Sequence, residues 1–503
     1  MTLPELLTRS AAAYPEKPAL IAGPRVLTYQ ALHREALGLA AILRGLGLRQ
    51  GERVVMMLPN APEFVVAYFA IQEAGGTVVP VNILFKPDEV VHLLQDSGAP
   101  LAVTLRALYP TLREAADKLA ERPPVLVLDG EEGLLGGPDM TLAGGMRQAL
   151  HAPAQTPAAE VAACLYTSGT TGRPKGALLT HANILANIDS FGQVIRCGPE
   201  DVFCCVLPMF HSFAATVMTL FPISLGATVV VESRFAPGPL LRTLGERRCT
   251  FFAGVPAMYA LLANCPEVPA DLSALRLCVS GGAPLPVDVL HRFEGRYGIP
   301  IYEGYGPTEC SPALTVNPPS GKRKVGSVGL PLPGVQIRVV DEGGQPVRTG
   351  EVGEVIARGP NVMLGYLNRP EETAAVLKDG WFSTGDLGRL DEEGYLTIVD
   401  RKKHMLIIGG LNVYPREVEV VLEGHPAVAE AAVVGIPDPV KGEEPVAFVA
   451  LRPEQTATRA DLLRYLRERL AAFKVPKRIT FVEALPRNAT GKVLKQALKS
   501  AVR

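Results

Sequence analysis

The sequence of 503 residues lacks a strong net charge, a metal-binding cysteine pattern and an N-terminal export signal. Its formal net charge is −1, so the molecule as a whole has no field that would collect nucleic acid. None of its eight cysteines forms a C-x-x-C pair, which predicts reduced thiols in a cytoplasmic protein and argues against a zinc site or a disulfide framework. The opening residues, MTLPE, have no basic region and no long apolar run, so we expect no signal peptide.

Charged residues are also missing from residues 202–231, a stretch long enough to raise the question of a membrane span. Polar, proline and glycine residues interrupt it: Pro208, His211, Ser212, Pro222, Ser224 and Gly226. We therefore expect a strand, a loop, a buried helix and a second strand, with no transmembrane segment. Peripheral contact with a membrane and assembly into a homodimer are left open by the sequence.

The length of the chain predicts about three core-sized units. Near the N-terminus, helical patterns alternate with short apolar strands. The expected helices are 31–45, 63–74 and 88–95, and the expected strands are 54–58, 78–81 and 101–104. This alternation indicates βαβ units and a largely parallel, doubly wound sheet, so the fold class is α/β.

Two changes of pattern divide the rest of the chain. From about Gly326, short strands such as 335–340 and 353–358 predict a β-rich subdomain that extends to residue 399. After Asp400 we expect a small α+β domain, residues 400–503, following a large N-terminal domain, residues 1–399. Its expected elements are helices at 413–422 and 461–473, the second capped by Thr458, and strands at 431–436 and 445–451.

The formal charge is divided between these two parts of the chain. Residues 401–503 contain 18 Lys and Arg against 11 Asp and Glu, which leaves +7 on these residues and −8 on residues 1–400. Two interpretations of this charge difference are open. It is ordinary surface variation, or the basic C-terminal domain closes over an anionic ligand.

The most informative segment is residues 166–176, with the sequence YTSGTTGRPKG, directly after an apolar run. Glycines allow backbone N–H groups to turn toward an anion, hydroxyl side chains add donors, and Lys175 adds a positive charge. The candidate polyphosphate ligands are Thr167, Ser168, Gly169, Thr170, Thr171, Gly172 and Lys175. A Walker A loop that starts at Gly169 would need glycine at position 174, where this chain has Pro174.

Further segments in the same order resemble the adenylate-forming superfamily of acyl-CoA synthetases, nonribosomal adenylation domains and beetle luciferases. They are residues 302–309 (YEGYGPTE), 383–387 (STGDL), 400–403 (DRKK), 409–415 (GGLNVYP) and 486–492 (PRNATGK). The resemblance spans nearly the whole chain, and residues 302–312 most resemble bacterial medium- and long-chain fatty acid–CoA ligases. It implies an enzyme that uses ATP, Mg²⁺ and coenzyme A to convert a carboxylic acid into acyl-AMP and then into a thioester.

The resemblance also implies roles for individual residues. Glu309 and Thr170 would hold Mg²⁺, Thr308 would reach the α-phosphate, and Asp386 with Arg401 would bind the ribose. The remaining nucleotide-binding residues that it implies are Gly281, Gly282, Ala283, Glu303, Gly304, Tyr305 and Gly306.

Lys492 would bridge the carboxylate and the α-phosphate while negative charge develops. In the family, the small domain then rotates about a hinge, here near Asp400, and Gly409 with Gly410 would line the passage for coenzyme A. Many relatives have an aspartate where this chain has His404, to which we assign no role.

For the acid, the resemblance implies a pocket formed by His211, Phe213, Val255 and Gly304. Residues 209–213 lack the aspartate that pairs with an amino-acid substrate, and Gly306 and Gly304 replace the tryptophan and arginine of acetate and malonate enzymes. An open apolar pocket favours a medium- or long-chain fatty acid. Open alternatives are a ligase for aryl or other acids, an adenylation enzyme that loads a carrier protein, a nucleotide-switched binding protein, and a luciferase-type oxidase.

Overall fold

The computed structural model describes residues 1–129, 139–142, 158–167, 174–266, 271–408, 411–438, 442–488 and 491–501. Seven predicted site residues lie outside this part of the chain. They are Ser168, Gly169, Thr170, Thr171, Gly172, Gly409 and Gly410.

Two large sheets form the body, as the α/β prediction requires. The first has eight strands, parallel from β8 to β7, in the order β19 (Gly365–Tyr366), β9 (Lys175–Thr180), β8 (Val161–Thr167), β4 (Thr77–Pro80), β3 (Arg53–Met57), β5 (Leu101–Thr104), β6 (Val125–Val127) and β7 (Met140–Thr141). The second has nine strands, parallel from β14 to β1, in the order β16 (Leu330–Pro331), β15 (Thr315–Val316), β14 (Ile301–Tyr305), β13 (Leu277–Ser280), β12 (Phe251–Gly254), β10 (Val202–Cys205), β11 (Thr228–Val231), β1 (Pro18–Ala22) and β2 (Arg25–Thr28).

Two smaller sheets follow. The first is antiparallel and orders β17 (Gln336–Val340), β18 (Gly353–Arg358), β21 (Trp381–Leu390) and β20 (Leu377–Lys378), with β22 (Leu396–Arg401) also paired to β21. The other orders β24 (Leu411–Val413), β23 (Leu406–Ile408), β26 (Gly442–Leu451) and β25 (Val428–Asp438), with β27 (Arg478–Phe481) parallel to β26.

Helices connect these strands. They are α1 (Leu3–Ala13), α2 (Tyr29–Gly45), α3 (Pro62–Glu73), α4 (Pro87–Ser97), α5 (Tyr109–Asp117), α6 (His181–Val194), α7 (Phe221–Leu225), α8 (Pro237–Glu246), α9 (Pro256–Ala263), α10 (Val287–Tyr297), α11 (Pro370–Val376), α12 (Pro415–Glu423), α13 (Arg459–Arg467) and α14 (Lys495–Ser500). A π-helix spans Phe213–Leu220, and short 3₁₀ turns span Thr308–Cys310, Lys402–His404 and Ala472–Lys474.

The largest core lies between the two body sheets. Helix α3 is buried around nearly its whole circumference, with Phe64 and Phe69 at most 1% exposed. They belong to one apolar cluster with Val54 of the first sheet and Phe203 of the second. Because a helix that is apolar on all sides is covered on all sides, α3 fixes the two sheets against each other.

The uncharged stretch 202–231 folds as predicted. Strand β10 is followed by a loop, by the buried π-helix and α7, and by β11. Among the described residues, none of the helices combines the length and the apolar character that crossing a bilayer requires.

Two helix boundaries in the last part of the chain differ from the prediction. The helix expected from Val413 begins at Pro415, because a proline fits the first helical position and forces the preceding Tyr414 into an extended conformation. Val413 instead pairs with Leu406 in β24. The helix expected at 461–473 begins at its predicted Thr458 cap but ends at Arg467, and Phe473 packs against the core from a separate turn.

The predicted site segments follow the carboxyl ends of parallel strands. The phosphate loop follows β8, Val255 follows β12, Gly281 follows β13, and residues 306–309 follow β14. Strands β12, β13 and β14 are parallel neighbours in the second sheet, so their carboxyl ends share one edge, where ligands of α/β proteins bind; β8 belongs to the first sheet.

Candidate active site

One cavity of about 1770 Å³ opens at these strand ends. It is lined jointly by predicted nucleotide residues, predicted acid-pocket residues and the predicted catalytic lysine. Those in its wall are Thr167, Lys175, His211, Phe213, Val255, Gly282, Gly306, Thr308, Glu309, Arg401 and Lys492. Residues more than 300 positions apart in sequence therefore face one space.

Glu309 is buried at the floor of this cavity, with 9% of its surface exposed. Its Oε1 atom accepts hydrogen bonds from the Tyr366 hydroxyl at 2.9 Å and from Thr167 Oγ1 at 3.3 Å. The neighbouring Thr308 places its hydroxyl 3.2 Å from that of Ser212, which is 1% exposed. Hydroxyl groups thus orient both Glu309 and Thr308 toward the cavity.

Lys175 begins strand β9, directly opposite Thr167 of β8. Its ammonium nitrogen lies 5.4 Å from the centre of the Tyr366 ring and forms an ion pair with Glu372. Tyr366 reaches this position because β19 pairs with β9, with Tyr366 opposite Ala177. Sequence reasoning missed both Tyr366 and Glu372, since no local motif marks them.

Asp386 is 3% exposed and uses both carboxylate oxygens. Its Oδ2 accepts a hydrogen bond from the Tyr305 hydroxyl at 2.6 Å, and its Oδ1 lies 2.9 Å from Arg401 Nε. Burial, together with this carboxylate, raises the pKa of Tyr305 well above its usual value, so the hydroxyl stays a donor. Each carboxylate oxygen of Asp386 has a second lone pair, so the two oxygens can still accept hydrogen bonds from the two hydroxyls of a ribose.

Asp400 joins the body to the last part of the chain. Its oxygens accept hydrogen bonds from the backbone N–H groups of Arg401 at 2.7 Å and Arg416 at 2.8 Å, and His404 Nδ1 lies 3.6 Å away. Burial alone would raise the pKa of Asp400, but the His404 side chain, the charge of Lys495 and these N–H donors hold it below its usual value. The aspartate is therefore a charged anchor at the start of α12.

Lys492 is presented on the predicted turn. Asn488 accepts a hydrogen bond from the Lys492 N–H at its side-chain oxygen, 2.9 Å away, and donates its own N–H to the Lys492 carbonyl at 2.9 Å. Gly491 has φ +80°, and a Cβ on it would lie 3.3 Å from Val255 Cγ2. The turn therefore rests against the predicted acid pocket.

Ion pairs hold the last part of the chain in this arrangement. Arg452 lies 3.0 Å from Asp288 of α10, and Lys402 lies 2.8 Å from Glu354 of β18. Both pairs connect residues after Asp400 to the body.

His211 lines the same cavity as Lys492 and lies close enough to be affected by its positive charge. Its Nδ1 accepts the N–H of Phe213 at 3.3 Å. Burial, and then the positive charge of Lys492, lower its pKa to about 4. The imidazole is therefore neutral near pH 7, which suits an apolar acid pocket better than a charged gate.

Gly304 and Gly306 both lie close to backbone carbonyl oxygens. A Cβ at Gly306 would lie 1.8 Å from the carbonyl oxygen of Pro312, and one at Gly304 would lie 3.3 Å from that of Thr315. A Cβ at Gly306 would therefore require the Pro312 backbone to move, whereas one at Gly304 would require a shift of only a few tenths of an ångström. Gly281 packs against Phe213, since a Cβ at Gly281 would lie 3.1 Å from the Phe213 ring. Ala283 is exposed.

Glu303 is buried away from the cavity wall. It is 8% exposed, its carboxylate accepts the N–H of Leu285, and its Oε2 atom is without a hydrogen-bond partner among the described residues. Burial raises its pKa to about 8, although the Leu285 N–H and Arg416 oppose this. Glu303 is therefore largely protonated at neutral pH.

This shift predicts a pH-dependent stability. A folded-state pKa above the unfolded value means that the folded protein holds the proton more tightly, so stability falls as pH rises from about 4.5 through about 8. In wild type we expect the free energy of unfolding to fall by on the order of a few kcal/mol over this pH range. Glu303→Gln cannot ionise and should not show this fall. Calorimetric unfolding at pH 5.5 and pH 8 measures it, with the exposed Glu371→Gln as control. Parallel profiles of wild type and Glu303→Gln would show that Glu303 is ionised in the fold.

The fold and the site define an adenylate-forming enzyme. A family model described as AMP-binding enzyme matches residues 7–367, and a second, described as AMP-binding enzyme C-terminal domain, matches residues 417–492. The chain belongs to the AMP-binding enzyme family and is an AMP-forming acid–thiol ligase.

Two kinds of curated relative are similar over almost their whole length. A long-chain-fatty-acid–CoA ligase of Bacillus subtilis is 38% identical, with 99% of this chain and 94% of the relative covered. A feruloyl-CoA synthase of an Amycolatopsis species is also 38% identical, with 97% and 96% covered.

Solved structures of one relative indicate which arrangement the chain adopts. ATP-bound MatB of Rhodopseudomonas palustris is 33% identical and superposes with a TM-score of 0.90, covering 100% of this chain and 99% of the relative. The apo form of the same protein, with the same coverage, gives 0.79. Since the sequence is the same, the difference lies in the conformation, and this chain is closer to the ATP-bound form.

Proposed function

We propose that this chain joins a medium- or long-chain aliphatic acid to coenzyme A, with ATP converted to AMP and pyrophosphate. The observation that carries the proposal is the single cavity in which Lys175, Thr308 and Glu309 face Lys492, beside His211, Phe213 and Val255. A triphosphate bound by Lys175, Thr308 and Glu309 would meet at Lys492 the carboxylate of an acid whose tail lies in the pocket of His211, Phe213 and Val255. Positioning of this kind is the main source of catalysis in phosphoryl transfer.

In the first step, the acid carboxylate attacks the α-phosphorus and pyrophosphate leaves. Lys492 supplies positive charge between the two reacting groups, and Thr308 donates to the α-phosphate. Asp386 and Arg401 hold the ribose, while Tyr305, Gly306 and the residues Gly281, Gly282 and Ala283 enclose the adenine. Glu303 contributes to this enclosure through the strand that carries it, because its carboxylate lies outside the cavity wall.

The site fits a hard cation on the phosphates. Glu309 is a buried carboxylate oriented by two hydroxyl donors, and Mg²⁺ takes one or two carboxylates and completes its shell with water and phosphate oxygens. Bound there, Mg²⁺ would offset phosphate charge, with Glu309 as its protein ligand and Thr170 of the loop as the second.

In the second step, the thiol of coenzyme A attacks the acyl-adenylate and AMP leaves. We propose that residues 400–503 first rotate about Asp400, which withdraws Lys492 and brings Gly409 and Gly410 to the thiol passage. The similarity to an ATP-bound relative supports placing the present arrangement at the first step.

The acid is inferred from the cavity wall and from the relatives. The substrate tail would meet no charged group at the neutral His211, at Phe213 or at Val255. The same cavity is also lined by the apolar side chains of Phe210, Phe235, Met258 and Leu261. An apolar wall with few polar groups favours an aliphatic tail. Fatty acid–CoA ligases among the relatives support the same choice.

An acid series tests this proposal. We expect AMP release with coenzyme A to peak among aliphatic acids of medium to long chain, and to fall by about tenfold or more for acetate, because each buried CH₂ contributes roughly 0.8 kcal/mol. Omission of coenzyme A separates this enzyme from one that loads a carrier protein. No AMP with any acid would instead favour a nucleotide-switched binding protein, and light or oxidised product would favour an oxidase.

A ligase for aryl acids is the second candidate. The feruloyl-CoA synthase is as similar as the fatty-acid relatives, and the same apolar wall would accept an aromatic ring. An optimum on cinnamates or benzoates in the same series would select it.

We also propose that the enzyme works in the cytoplasm. All eight cysteines are free, and seven of them are buried, as expected in a reducing compartment. Peripheral membrane contact and a homodimer are compatible with this placement.

A further inference from the structure

Lys175 is held by a counter-ion that sequence reasoning did not predict. Its side chain is 12% exposed and pairs with Glu372 of α11, whose side chain is 34% exposed. A cation this buried is costly without a partner. In the nucleotide-free protein, Glu372 therefore supplies the negative charge that a phosphate would supply in the complex.

The carboxylate of Glu372 has a second cation beside it. Arg369 Nε lies 3.6 Å from Glu372 Oε1, while its guanidinium also lies 3.0 Å from Asp96 Oδ1. Asp96 in turn accepts a hydrogen bond at 2.8 Å from the hydroxyl of Tyr166, which lies on β8 just before the phosphate loop. When Lys175 turns to a phosphate, Glu372 keeps Arg369 as its partner and is not left unpaired.

We propose that Glu372 is a positioning residue that competes with the β- and γ-phosphates for Lys175 and so weakens nucleotide and pyrophosphate binding. This inference rests on the proposed function, in which Lys175 binds the triphosphate. A phosphate and the Glu372 carboxylate beside one partly buried ammonium group would repel each other, so part of the binding energy of the phosphates is spent on displacing Glu372. The same competition speeds pyrophosphate release after the first step, because Glu372 can return to Lys175.

The adjacent glutamate offers a matched control. Glu371 lies on the same helix, carries the same charge and is exposed. Glu371→Gln removes one charge from the same region, so it reports the general electrostatic effect on an anionic ligand. Glu372→Gln removes that charge and also the contact with Lys175.

The test is calorimetric titration of the full chain with inorganic pyrophosphate and Mg²⁺. We expect Glu372→Gln to bind pyrophosphate about three- to tenfold more tightly than wild type, as expected for loss of one partly buried ion pair, and Glu371→Gln to change binding less than twofold. In a Lys175→Ala background the Glu372→Gln change should alter binding less than twofold, as Glu371→Gln does, because the cation for which Glu372 competes is gone. Unchanged or weaker binding by Glu372→Gln would overturn the inference.

Two further outcomes separate this inference from the proposed function. If Lys175→Ala binds pyrophosphate as wild type does, the triphosphate role of Lys175 itself is wrong. If Lys175→Ala weakens binding but Glu372→Gln does not tighten it, only the competition is wrong. Thermal unfolding guards against a merely structural effect: Glu372→Gln should lower the Tm of the free protein yet increase the Tm gain on adding pyrophosphate. A damaged fold would lower the Tm of the free protein and also reduce the Tm gain on adding pyrophosphate.

Discussion

Replacing Lys492 with alanine should lower the rate of acyl-adenylate formation by about 10²- to 10³-fold or more, and leave thioester formation from supplied acyl-AMP nearly unchanged. The reason is that Lys492 lines the cavity together with His211 and Val255, where the carboxylate and α-phosphate would meet. A charge that acts only while the phosphorus is attacked contributes nothing to the later attack by a thiol.

Pyrophosphate exchange measures the first step, and AMP release from acyl-AMP with coenzyme A measures the second. Lys499→Ala provides a control, because Lys499 lies on α14 of the same part of the chain and outside the cavity wall. Equal losses in both steps for Lys492→Ala would show that the lysine supports folding or both reactions, and would contradict this division of work.

Replacing Glu309 with glutamine should also lower adenylate formation by roughly 10²-fold or more and raise the Mg²⁺ concentration needed for half-maximal rate. The amide has nearly the same shape and can still accept the hydrogen bonds of Tyr366 and Thr167, so the change removes mainly the negative charge.

Mg²⁺ titration of pyrophosphate exchange provides the measurement, and Tyr366→Phe gives the graded comparison. That variant keeps the carboxylate and loses only one orienting hydroxyl, so its loss should be much smaller. A Glu309→Gln enzyme with an unchanged Mg²⁺ dependence would remove Glu309 from the metal site.

Local chemistry made much of the fold predictable. Thr458 caps α13 with Asp461 three residues later, and the turn that carries Lys492 is encoded by its own residues. Strand β5 occupies the predicted residues 101–104 because its apolar run is short and sharply bounded. In each case the determining residues are neighbours in sequence.

Features that depend on distant neighbours could not be predicted. Tyr366 and Glu372 meet Lys175 only because β19 adds to the edge of β9, which joins residues almost 190 positions apart. The raised pKa of Glu303 depends on burial by the surrounding sheet. The end of α13 at Arg467 was missed because the apolar spacing continues to Phe473, while the chain turns to bring Phe473 back to the core.

The backbone around Gly306 has a consequence for altering the substrate range. Because any side chain at this position would meet the Pro312 carbonyl, enlarging residue 306 alone would push the 312–314 segment aside before it shortened the acid site. An engineer who wants an enzyme for short acids would therefore enlarge Val255, which already lines the cavity, or redesign positions 306 and 312 together. Natural lineages that changed chain length at position 306 would need a coordinated change in the facing loop.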